Sequence, residues 1–343
     1  MAKERVSTFD VLKGLCILMV IFTHYQWTAA QNLRYLFPFW LDMAIPLCIL
    51  MSGYLFSKSY QRRIADSTHP GFRLIEGSVE WGIRFTIPYI VACAAELAFM
   101  VALEDYETGT SLSLPMTFLT GGVGPGSYYY PILLQLAFFA PFVFVLIRKF
   151  GGTGLLICCA VNVFFELLKW KVGMSSWIYR IHAVRYMMLF AFGFYFAQGG
   201  RLSRAQSICM VVIGLISVYM NSYKNITLFF ITYWRTTSFI TTLHIIPLFY
   251  WLLDKPLKCG ILERIGRASY NIYLVQMIYY QYRSGWLYSI ITQPICQLVF
   301  NLVICVCVGL LFYAVETPIT RYVIKQYRKT LSAICVKNLG ENV

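Results

Sequence analysis

Ten stretches of about 17 to 25 mainly apolar residues, at 11–27, 36–56, 80–103, 128–147, 152–169, 181–197, 205–221, 229–253, 269–290 and 292–315, leave this chain few ways to fold. Runs of that length are long enough to span hydrocarbon as helices. We therefore expect an all-α polytopic membrane protein of about ten transmembrane helices. With 59% of 343 residues hydrophobic and 13% charged, there is too little polar surface to cover a water-soluble globule. No repeat or second composition divides the chain, so 1–343 reads as one transmembrane domain, with 316–343 as a short basic tail.

A net charge of +14 on a soluble domain would suggest nucleic acid. Here the cations sit in short segments between the apolar runs, which is a topological pattern and excludes a nucleic-acid partner. With both termini cytoplasmic, nineteen Lys and Arg fall inside, six outside and four (Lys13, Arg84, Arg185 and Arg235) within spans. Met1 to Arg5 followed by an apolar run imitates a signal peptide, but Lys13 and His24 interrupt that run, and we expect it to stay. Nine of the eleven Cys lie within apolar stretches without metal-ligand spacing, and they read as packing residues with no metal site. The outer loop Glu104 to Ser127 ends in Gly121-Gly122-Val123-Gly124-Pro125-Gly126; it lacks the strand and Lys of a phosphate-cradling loop and reads as a flexible, substrate-covering segment. The sequon Asn225-Ile226-Thr227 carries no weight, because three-residue matches arise by chance.

Ionisable groups within spans are expensive and therefore candidates for function. Asp10, Lys13 and His24 share the first helix, and the eleven residues from Lys13 to His24 return to within about 20° of one face over a rise of about 16 Å. Such a stripe suits an extended ligand. A structural alternative stands beside it: Asp10 and Lys13 pair and snorkel while His24 bonds a neighbouring helix.

The order of motifs resembles the integral-membrane acyltransferase 3 family, whose members acylate sugars of envelope glycans. Asp10, Lys13-Gly14 and His24 resemble its first-helix pattern, with Lys where Arg is usual, which keeps the charge but loses bidentate phosphate binding. Met51-Ser-Gly-Tyr-Leu55, Arg84-Phe-Thr-Ile-Pro88-Tyr89, Gly126 to Gln135, Ser269 to Gln276 and Glu316-Thr-Pro318 continue the resemblance, with Gln276 where many members have His. The resemblance implies O-acetyl transfer from cytoplasmic acetyl-CoA (acyl-CoA), a co-substrate and not a resident cofactor, to a carbohydrate acceptor at the outer face of a bacterial inner membrane. His24 would be the essential base or acyl carrier, an open choice at this point.

Other roles follow from depth and chemistry. Asp42 falls near the depth of His24 and is a candidate to orient it, with ion pairing to Arg34 or Arg185 as the alternative. Lys13, Arg84 and Asp10 are candidates for holding the donor, with Arg264 or Arg267 as possible helpers. Glu96, Glu166, Gln135, Tyr273 and Gln276 are candidates for the acceptor, although salt bridging to Arg185 or Arg235 also explains the two carboxylates. Tyr270 and Tyr273 read mainly as packing residues, and Glu316 as a fastener of the last helix. His182 and His244 read as structural. The competing functions are a glycan transporter or flippase, to which intramembrane charges and Pro46, Pro88 and Pro247 also suit, and a non-catalytic partner of glycan-synthesis or export proteins.

Overall fold

The protein is represented by a computed structural model, which describes residues 7–65, 67–103, 113–226, 235–282 and 284–340, with side chains described except at 235, 284 and 332–340. Lys3, Arg5, the start of the outer loop at 104–112, Thr227 of the sequon, positions 229–234 of the eighth expected span, and Arg283 lie outside the described residues.

Helix makes up 83% of the described residues, and no strand occurs among them. The first half contains α1 (Ser7–Thr23), α2 (Ala29–Arg34), α3 (Phe37–Trp40), α4 (Ala44–Ile64), α5 (Pro70–Ala102), α6 (Leu114–Leu119), α7 (Tyr129–Phe150) and α8 (Gly152–Val172). The second half contains α9 (Ser176–Ile181), α10 (Met187–Ala197), α11 (Arg204–Tyr223), α12 (Ile245–Leu252), α13 (Gly260–Arg267), α14 (Ser269–Tyr282), α15 (Ser284–Ile290) and α16 (Pro294–Gly340). Among the described residues, five segments are long and apolar enough to cross a membrane: Phe37–Ile64, Pro70–Ala102, Tyr129–Phe150, Arg204–Tyr223 and Pro294–Leu331. Their outward faces carry large exposed apolar side chains, such as Phe138 at 65%, Phe142 at 64% and Leu311 at 66% exposure, a surface that belongs against lipid tails. The protein is an integral membrane protein.

Length and apolarity together thus give five of the ten expected crossings, and two of the others are broken for local reasons. The expected span 181–197 is broken at His182, whose backbone is extended (φ −87°, ψ 124°). The break is tolerated because it is buried in protein: Ala183 and Tyr186 are fully enclosed. The Gln135 amide bridges it, donating to Ile181 O at 2.7 Å and accepting from Ala183 N at 3.1 Å. Among the described residues of the expected span 229–253, only Ile245–Leu252 is α-helix, preceded by a tight turn at Thr241–His244. There the Thr242 hydroxyl donates back to Ser238 O at 2.9 Å, sharing that oxygen with the Thr242 backbone N–H at 3.1 Å.

The last helix runs on beyond its apolar stretch. Residues 316–340, expected as a tail, continue α16 without interruption past Pro318. The extension has partners: Glu316 and Ile324 are buried, and Arg328 donates to both oxygens of Glu80 on α5 at 2.5 and 2.7 Å.

The densest core lies where α4 crosses α10. A side chain at Gly53 would strike Phe190 O, and one at Gly193 would strike Leu50 O, so the two backbones approach more closely than larger residues permit. α1 packs on α4, α13 and α14, while α5 packs on α4, α7, α14 and α16. These neighbours surround an internal cavity.

Candidate functional site

A cavity of about 400 Å3 runs between α1, α4, α5, α7, α14 and α16. Lys13, Ile17 and Val20 line it from α1, and the next residue on that stripe is His24, whose backbone N–H donates to Val20 O at 3.3 Å. Spacings of four, three and four residues keep one helix face turned to one space. Among the described residues, the cavity wall is cationic towards Lys13, Arg84, Arg267 and Arg321, and apolar to aromatic towards Val20, Leu133, Tyr129 and Tyr273.

His24 follows the last turn of α1 and is half-buried. Its ring is 6.1 Å from that of Tyr280, whose hydroxyl donates to Ile21 O at 2.9 Å. No hydrogen bond to its ring occurs among the described residues, leaving the imidazole available to a substrate. Gly126 closes the space beside it, in the left-handed region at φ +86°; a Cβ there would lie 3.5 Å from His24 Nε2 and 3.4 Å from the Tyr273 ring.

The described part of the glycine-rich loop is fastened, contrary to the expected flexible flap. Tyr273 OH donates to Gly126 O at 2.8 Å, Val123 N donates to Glu96 Oε1 at 3.1 Å, and Tyr89 OH donates to Phe118 O. Glu96 is fully buried, its other oxygen against Gly122. It is therefore a loop clamp. Tyr273 is both cavity wall and loop fastener.

The remaining candidates separate. Glu166 is fully buried with Lys169 Nζ at 3.0 Å and Tyr179 OH at 2.5 Å, in an ionic cluster that Arg185 joins by stacking on Tyr179. Gln135 is engaged at both ends by the break at His182. Asp42 takes a hydrogen bond from Thr236, and none joins it to His24 among the described residues. Asp10 is buried at the crossing of α1 and α13, where its carbonyl meets Gly266, and is not among the cavity-lining residues. Gln276 is fully buried with neither end of its amide hydrogen-bonded. It lies one helical turn from both Tyr273 and Tyr280, the two rings that border His24 and its loop. A buried amide in that condition calls for a partner.

Linear reading missed Arg321 and left Arg267 only as a helper. Both were counted as topological charges, and only the packing of α13, α14 and α16 on α1 and α5 brings them to Lys13 and Arg84. Glu316, also in the wall, accepts hydrogen bonds from Asn271 Nδ2 at 3.1 Å and from Thr320, and so fastens α16 to α14. A family model described as an acyltransferase domain matches residues 6–314. No curated protein and no solved structure matches the chain.

Proposed function

The chain belongs to the acyltransferase 3 family, and from that premise we propose that it is a membrane O-acetyltransferase that moves an acetyl group from cytoplasmic acyl-CoA to a hydroxyl of an envelope or exported saccharide. The observation that carries this reading is the single cavity that begins at Lys13, Arg84, Arg267 and Arg321 and ends one turn short of His24. A pantetheine arm has roughly twelve chain bonds and, at peptide-like extension, reaches on the order of 14 Å. That matches the rise of about 16 Å from Lys13 to His24. Phosphates held at the cations would therefore bring the thioester to the imidazole.

The chemistry follows from the groups there. A sugar hydroxyl is a weak nucleophile, and the His24 imidazole takes its proton as the oxygen attacks the thioester carbonyl. The new C–O bond forms, the C–S bond breaks, and the thiolate leaves with the donor. The same geometry permits His24 to carry the acyl group between two such steps. Gln276 supplies hydrogen bonds to the acceptor or the carbonyl oxygen, which would satisfy its buried amide. In this reading the protein crosses a bacterial inner membrane about ten times with both ends cytoplasmic, beside the proteins that make or export the glycan.

Transfer of label from acetyl-CoA to envelope glycan, in cells carrying wild type or His24→Ala, tests the proposal. We expect transfer to fall by roughly a hundredfold or more at an unchanged protein level. Persistent transfer in that variant, or glycan export without acylation by the wild type, would overturn it.

A further inference from the structure

Arg84 and Arg321 also line a second space of about 550 Å3, together with Ile324, Lys325, Arg328 and Lys329. Positions 321, 325 and 329 follow one another at intervals of four, which puts them along one side of α16. The acid nearest this group is already matched: Glu80 is held by Arg63 Nη2 at 2.5 Å and by Arg328 Nε at 2.5 Å. Among the described residues, Arg84, Arg321, Lys325 and Lys329 make no ion pair. Four like charges gathered around one space repel each other, and a polyanion bound among them would turn that repulsion into attraction.

Resting on the acyl-CoA reading above, we propose that Arg321, Lys325 and Lys329 of α16, with Arg84 of α5, form the docking site for the nucleotide end of the donor, with its separate phosphate beside Lys325 and Lys329 and its pyrophosphate between Arg84 and Arg321, which also line the cavity of Lys13. The site adjoins the donor cavity through Arg84 and Arg321, which line both spaces, so the pantetheine arm leads inward from it without a gap. An anionic lipid headgroup offers the same phosphate chemistry. It would also need an apolar bed for its tails, and Ile324 is the one apolar residue in this lining. The Glu80 clamp is the positioning element, because it fixes the extension of α16 that carries the cations.

The test uses the full-length protein in discs of neutral lipid, with acetyl-CoA and acetyl-pantetheine as alternative donors. In Lys325→Gln/Lys329→Gln, and more strongly with Arg321→Gln added, the ratio of kcat/KM for acetyl-CoA to that for acetyl-pantetheine should fall roughly tenfold or more. The adenosine bisphosphate that makes up the nucleotide end should compete with acetyl-CoA in wild type and lose potency in the variants. An unchanged ratio overturns the proposal, and so does equal loss with both donors. Adding phosphatidylglycerol to the discs separates the lipid source: loss of a lipid effect in the variants, with competition by the bisphosphate unaltered, assigns the site to headgroups instead. Wild type inactive with both donors would fail the acyl-CoA reading itself, a separate result.

Discussion

Gly126 occupies a backbone region that side chains resist, and a methyl there would fill the space in contact with His24 and Tyr273. Gly126→Ala should reduce transfer while leaving the protein folded, a result read from turnover against the detergent-solubilised monomer fraction. Gln135→Leu acts differently. It leaves Ile181 O and Ala183 N without a partner in a buried break, and it should destabilise the protein by about 1–3 kcal/mol for each group, measured as a lower midpoint of thermal unfolding in detergent. The stripe from Lys13 to His24 was legible because helix geometry alone places residues eleven apart on one face. Gln135 and Glu96 were assigned to the acceptor because a sequence shows a polar group in a span but not its partner, here 46 and 27 residues away along the chain.

Among the elements, α16 departs most from what hydropathy suggests. Hydropathy marks where hydrocarbon ends, not where a helix ends, and residues beyond the apolar run stay helical when they find partners. Arg63 and Arg328 were read only as side-of-membrane signals, whereas both hold Glu80 of α5 and so join α4, α5 and α16. Glu80→Gln should weaken this joint by about 1–3 kcal/mol, leaving two cations facing a neutral amide. Faster hydrogen exchange over 318–331, with exchange in α4 unchanged, is the expected signature. The broken segments at His182 and Thr241 were illegible for the complementary reason: their apolar composition is that of a span, and the interruptions depend on side-chain bridges from Gln135 and Thr242.

At the scale of the molecule, the proposed orientation puts residues 325 and 329 on the cytoplasmic side. A membrane-impermeant thiol reagent applied from outside to intact cells should fail to label Lys329→Cys in a background lacking other reactive cysteines, yet label it after permeabilisation. Labelling from outside would reverse the topology. The middle of the cavity also has a consequence for the membrane that holds it. Apart from its cations and Glu316, the cavity wall presents Ile17, Val20, Ile45, Met51, Leu55 and Leu133 beside uncharged polar and aromatic groups such as Ser52, Tyr129 and Tyr273. An uncharged arm crosses such a sleeve readily, whereas a bare charge meets a barrier of several kcal/mol. Under the proposed reaction such a sleeve would act as an insulator: an acyl group would pass from one compartment to the other while the voltage between them is left standing.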